Sequence, residues 1–178
     1  MISLDLGDSR LIQTLCKTYG LSLPQQAYVL ATAYWETARQ MKPVREAFWM
    51  SESWRKENLR YYPWYGRGYV QLTWEANYLR AGKALGIDLT ADADRALETA
   101  PAAHILIRGM LEGWFTGKSL STYLHADKQD FIAARRIING TDRAADIAMI
   151  AEKYLLALRE EEPQPSPWVQ WLRRLFKV

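Results

Sequence analysis

The residues able to do covalent or acid–base chemistry are few apart from the carboxylates. The only histidines, His104 and His125, lie in separate segments, and the single cysteine, Cys16, follows Leu15 late in an amphipathic stretch. Two distant histidines fall short of the three protein ligands and open position of a catalytic zinc, so no metal is expected, and no other cofactor. Cys16 reads as a small core residue rather than a thiol nucleophile. No glycine-rich loop has the spacing that cradles phosphate. Carboxylates, by contrast, are plentiful, and two of them suffice to hydrolyse a glycosidic bond. One stays protonated and donates to the leaving oxygen; the other is ionised and activates water on the opposite face. A partly buried, aromatic setting favours the protonated form of a carboxylic acid. Glu36 follows Tyr34 and Trp35 and so fits the acid; a solvated helical glutamate is the ordinary alternative.

Glu36 falls near the end of the most clearly marked helix. Ser22 with Gln25 three places on, and Pro24 in the first turn, form a capping box. The helix is expected to run to about Gln40, burying Leu23, Ala27, Leu30, Tyr34, Ala38 and Met41, with Glu36 and Thr37 off that stripe. An earlier helix is expected from a cap at Asp8 to about Tyr19, stopped by Gly20. From Lys42 to Tyr65 the chain is irregular and aromatic. Tyr69 to Leu72 reads as a short strand, and Thr73 as the cap of a helix ending at Leu85 before Gly86. Helices are further expected from Pro101 to about Phe115, from Asp127 to Ile138, and from about Asp142 to Leu158. The pattern is all-α, mostly helical, with one small β element.

With 178 residues the chain suits one domain. Residues 1–159 are expected to form it, followed by an acidic, proline-rich linker over 160–167 and a basic amphipathic segment over 168–178. In that last segment Trp168, Trp171, Leu172, Leu175 and Phe176 recur at helical spacing, opposite Arg173, Arg174 and Lys177. Two readings stay open: a helix lying on an anionic membrane, or a terminal helix burying its apolar face on its own domain. One cysteine excludes an intrachain disulfide. The N-terminus lacks the basic and apolar regions of a signal peptide, and no apolar run approaches the roughly 20 residues of a membrane helix; the chain is therefore expected to fold in a cytoplasm. Eight Trp and ten Tyr can fill a core or line a sugar-binding cleft. The net charge of +3 favours anionic polymers without choosing among nucleic acid, peptidoglycan and acidic lipid.

The segment Gly66-Arg67-Gly68-Tyr69-Val70-Gln71-Leu72-Thr73-Trp74-Glu75-Ala76-Asn77-Tyr78 narrows that choice. It resembles the signature of glycoside hydrolase family 19, the family of plant chitinases and phage lysins, at every fixed position and without a gap. Residues 81–89 are similar to the helix and turn that follow it. Glu36-Thr37 resembles the family's acid motif, and Ile137-Ile138-Asn139-Gly140 its Ile-Ile-Asn-Gly-Gly motif, in family order. The sequence departs from the family in three ways. Trp35 replaces the histidine before the acid, Thr141 replaces the second glycine, and the loop that follows is short, so later charged cleft residues have no match.

The resemblance implies a helical, lysozyme-like bilobal domain and an inverting, metal-free mechanism on a β-1,4-linked N-acetylhexosamine polymer. Glu36 would be the general acid. The general base would lie in the loop after its helix, where Glu46, ten positions on, is the nearest candidate and Glu52 and Glu57 are rivals. Thr73 would hold the attacking water, or serve as a plain helix cap. Gln71 and Asn77 would bind sugar hydroxyl or acetamide groups. Asn139 would do so from the far wall, or simply end a helix. Arg67 would brace the fold. Tyr69 and Trp64 would line the cleft or pack in the core. The implied partner is the glycan strand of peptidoglycan, with chitin as the alternative and no nucleic acid, for a monomer. Such an endolysin would wait in the host cytoplasm until released to the periplasm or cell wall. A non-catalytic wall-binding protein with a retained cleft is the reading from another class.

Overall fold

The computed structural model describes residues 2–162; the segment from Trp168 to Val178, with its expected amphipathic helix, lies outside them. In chain order the elements are α1 (Ser9–Thr18), α2 (Leu23–Glu36), β1 (Val44–Arg45), α3 (Glu52–Asn58), β2 (Arg67–Gly68), α4 (Glu75–Leu85), α5 (Thr99–Glu112), α6 (Leu120–Tyr123), β3 (Leu124–His125), β4 (Lys128–Gln129) and α7 (Ala144–Glu161). Short 3-10 turns cover Ala93–Leu97 and Ala133–Ile137. The fold is mostly helical, as expected. Among the described residues the β structure is two small antiparallel ribbons where one element was expected, pairing Val44 with Gly68 and Leu124 with Gln129.

The expected start of α2 is present: the Gln25 side chain accepts from the Ser22 N–H at 3.1 Å, and its amide donates to the Leu124 carbonyl at 2.9 Å. The expected single stripe is not what the helix buries. Every residue from Gln26 to Tyr34 is buried, so α2 is a central helix wrapped on all sides, with α7 as its principal neighbour. The small side chains of Ala27, Ala31 and Ala33 let those neighbours approach. The helix ends at Glu36 rather than near Gln40, and Ala38, assigned to the stripe, lies beyond it and is exposed. Helix α7 is tied back to α1 at its far end, where Gln13 and Arg10 both donate to the Glu161 carboxylate. The acidic run therefore begins inside this helix, which includes Glu160 and Glu161.

Three other local expectations are corrected. Asp8 stands before α1 but makes no side-chain cap; its carboxylate accepts from Lys42 and from the Tyr69 hydroxyl, joining the start of α1 to the signature segment. The strand expected at Tyr69 to Leu72 falls at Arg67–Gly68, and the chain turns back so that Leu72 bonds Arg67. The helix expected from Asp127 is a hairpin and a 3-10 turn, with Asp130 accepting from the Ala133 N–H at 2.9 Å.

Candidate active site

Glu36 closes α2, and the backbone beyond it is held firmly. The Thr37 hydroxyl is not at the surface. It donates to the Ala33 carbonyl at 2.7 Å and accepts from the Met41 N–H at 3.0 Å. Ala38, Arg39 and Met41 then adopt left-handed φ values of 50°, 69° and 52°. This conformation is unfavourable for residues other than glycine and persists only where surroundings impose it. The bonds that impose it include Arg39 N–H to Tyr34 O at 2.7 Å and Asp8 N–H to Met41 O at 2.8 Å. Where the sequence pointed to an aromatic setting, the direct partner of Glu36 is a charge. The Arg135 guanidinium donates to its carboxylate at 2.6 Å, with side-chain exposures of 6% for Arg135 and 18% for Glu36. Arg135 also donates to the Asp142 carbonyl at 3.1 Å, linking Glu36 to the loop that carries Asn139.

Glu46 is set by the signature segment itself. Its backbone N–H donates to the Gly66 carbonyl at 2.7 Å, and the Gly66 N–H returns a bond to its carboxylate at 2.8 Å. The other carboxylate oxygen accepts from the Tyr61 hydroxyl at 2.7 Å. Burial, then the bond to Glu46, push the Tyr61 phenol up to about 12, so it stays a donor at neutral pH. A Cβ at Gly66 would lie 2.7 Å from Gln71 Oε1 and 3.2 Å from Glu46 Oε2, which is why this position takes glycine. Beneath the loop, buried Arg55 donates to the carbonyls of Glu46 at 2.9 Å and Ala47 at 3.1 Å. Of the rival carboxylates, Glu52 is held by Arg55 and the Tyr65 hydroxyl, and Glu57 is exposed on α3.

A recess beside this loop is lined by Gln71, Thr73, Trp74, Asn77, Phe115 and Ile138, among others. Gln71, at φ 53°, directs its amide to the carbonyls of Val44 at 3.0 Å and Gly68 at 3.3 Å, so it braces the ribbon where the resemblance implied sugar contact. Thr73 donates to the Gln71 carbonyl at 2.7 Å, leaving its lone pairs free to accept. Helix α4 starts from Trp74 rather than from a Thr73 side-chain cap. Asn77 gives its amide N–H to the Thr73 carbonyl at 2.8 Å, leaving its oxygen available. Asn139 is exposed and accepts from the Gly140 N–H at 2.8 Å.

Tyr69 is core, not cleft. It is fully buried with its hydroxyl on Asp8 at 2.6 Å, and burial pushes that phenol well up. Trp64 is half-buried against Tyr78, ring centres 5.4 Å apart. Arg67 braces: it is 4% exposed, reaches Asp94 at 2.8 Å and the Tyr78 hydroxyl at 3.0 Å, and stacks over Tyr65 at 3.7 Å. Cys16 is buried, which pushes its thiol far up, and His104 shares a 2.8 Å hydrogen bond with Tyr19. Sequence reasoning missed Arg135, Arg55 and Tyr61. Nothing local separates Arg135, which is buried, from Arg136, which is exposed.

The family described as chitinase class I matches residues 11–147. Endochitinase At2g43610 of Arabidopsis thaliana is 38% identical over 77 residues, 43% of this chain and 25% of that protein. Chitinase 8 of Oryza sativa subsp. japonica is 34% identical over 83 residues, 47% of this chain and 29% of that protein. The chain thus matches less than a third of the length of either relative. The solved structure of chitinase C from Streptomyces griseus HUT6037 superposes with a TM-score of 0.59 at 21% identity, over 75% of this chain and 59% of that one, a likeness of fold.

Proposed function

From the premise that this chain belongs to the chitinase class I family, we propose that it is a glycoside hydrolase cutting β-1,4 bonds of an N-acetylhexosamine polymer by single displacement with inversion. The observation that carries the reading is the seat of Glu46, whose carboxylate is held by Gly66 and Tyr61 beside a recess offering Thr73 and Asn77. A carboxylate has about four lone-pair sites, so two such bonds leave room to take a proton from water. Thr73 Oγ1, already donating to Gln71, accepts the second proton of that water, so that a lone pair faces the anomeric carbon. Glu36 donates to the leaving oxygen. The Glu36–Arg135 pair describes the substrate-free protein. To act as the acid, Glu36 releases Arg135 when the glycan binds and carries its proton to the leaving oxygen.

The substrate we assign is bacterial peptidoglycan, with the protein acting as an endolysin that stays in the host cytoplasm until it is released to the wall. Its single cysteine is buried in the core, so the fold needs no oxidising compartment, and its net charge of +3 favours an anionic wall. The second reading, chitin, is favoured by the relatives, whose names are those of chitinases. Glycan release from purified peptidoglycan and from colloidal chitin, with Glu36→Gln beside the wild type, separates the two. Cleavage of chitin alone removes the lysin reading, and cleavage of neither removes the hydrolase reading.

A further inference from the structure

Trp74 lines the recess at a position that the family signature leaves free. It stands at φ 75°, ψ 137°, a conformation in which a bulky side chain is a genuine outlier, and 47% of it is exposed. The backbone is fixed there from both sides: its N–H donates to the Trp64 carbonyl at 2.9 Å, and its carbonyl accepts from Asn77 at 3.0 Å and Tyr78 at 3.2 Å. The indole meets the Tyr61 ring edge-on, with centres 5.0 Å apart, and the Arg60 guanidinium lies 5.2 Å from its centre. Tyr61 is the residue that donates to Glu46. An exposed aromatic ring held in an unfavourable backbone conformation is therefore one packed neighbour away from the base, and on the rim of the recess that holds Thr73 and Asn77.

We propose that Trp74 is an aromatic platform for a pyranose ring of the glycan, placed beside the bond that Glu46 and Glu36 act on; this rests on the hydrolase reading above. The match is chemical. A β-linked N-acetylhexosamine has an apolar face of axial C–H groups and a polar rim of hydroxyl and acetamide groups. The recess offers the same division, an indole next to the free Asn77 oxygen and the Thr73 lone pairs. The strained backbone holds the ring at the recess with nearly half of it exposed. Arg60 is exposed, and gives way to the sugar or packs along its edge.

The test is equilibrium binding in a background that does not cut. Glu36→Gln is titrated with the N-acetylglucosamine hexamer and with soluble glycan strands from purified peptidoglycan, followed by tryptophan fluorescence, and compared with Glu36→Gln carrying Trp74→Gly. Glycine removes the ring and relieves the left-handed backbone, so the melting temperature holds or rises, while affinity falls by roughly tenfold. Trp74→Phe recovers most of it. Trp74→Leu, which keeps an apolar side chain on the original backbone, does not. In the cutting enzyme the same variants raise KM far more than they lower kcat. Equal affinity with and without the Trp74 ring, or full recovery by Trp74→Leu, overturns the platform and leaves the hydrolase reading intact. A wild type that cuts neither polymer overturns the hydrolase reading, while the binding comparison still decides the platform.

Discussion

Arg135 donates to Glu36 across 2.6 Å although the two stand 99 positions apart. The pair joins the end of the central helix α2 to the 3-10 turn over Ala133–Ile137. It also sets what removal of the Glu36 carboxylate does to the fold. Glu36→Gln should lower turnover by at least about a hundredfold, the scale of general-acid loss. Its amide oxygen still accepts from Arg135, so unfolding free energy should drop by only about 1–2 kcal/mol; Glu36→Ala, which strands a buried guanidinium, should lose more. Denaturant unfolding beside steady-state rates checks both, and a folded Glu36→Gln protein of near-normal rate removes Glu36 as the acid.

Glu46→Gln should likewise abolish most turnover, while Glu57→Gln should not, since Glu57 is exposed on α3. If Glu46 is the base, the product is released with inverted anomeric configuration, readable by proton NMR in the first minutes. In a glycan complex the Glu36 and Glu46 carboxyls should stand roughly 6.5–9.5 Å apart. Retained configuration overturns the single displacement, and a Glu57 variant as damaged as the Glu46 one assigns the second carboxylate elsewhere.

Gly66→Ala tests the seat of Glu46, the proposed base. The new methyl would meet Gln71 Oε1 at 2.7 Å and Glu46 Oε2 at 3.2 Å. A displacement of a catalytic group by about 1 Å can cost on the order of a hundredfold in rate, so kcat should fall by that order with circular dichroism unchanged. An alanine variant of full activity would show that the loop adapts without moving Glu46.

Asp94 gives a pH signature. Burial opposes its charge, but the hydrogen bonds and charges of Arg67 and Arg45 outweigh it and hold the carboxyl below its ordinary 3.8. A depressed folded value means stability that is present above about pH 4 and lost as pH falls through that lower value. Wild type should therefore exceed Asp94→Asn in melting temperature at pH 7, and the gap should close on acidification below pH 4. A gap that is constant with pH would show that the charge contributes nothing.

Deletion after Glu162 addresses the basic tail. Of the two readings left open for it, a membrane element leaves the truncated chain with its melting temperature and any activity on purified peptidoglycan. That chain should lose binding to vesicles containing anionic lipid. A sharp fall in melting temperature, or full-length protein that ignores such vesicles, places the tail on the domain instead.

Features that depend on near neighbours are legible along the chain. Ser22 and Gln25 mark the start of α2 because a capping box closes within one turn. Gly86 ends α4 in a left-handed conformation for the same local reason. The glycines of the 66–78 segment are legible because a missing Cβ is a property of the residue. Which partner each polar side chain takes depends on packing between distant segments. Asp8 could cap α1 or reach Tyr69, 61 positions away, and the second brings its carboxylate to a buried phenol that favours a partner. Arg135 and Arg136 are identical in sequence terms, and only packing puts the first on Glu36. Glu46 stands out from Glu52 and Glu57 because Gly66, 20 positions on, turns its N–H toward that carboxylate. Hydrogen-bond choice follows burial, and burial is settled by contacts between segments that no local pattern ranks.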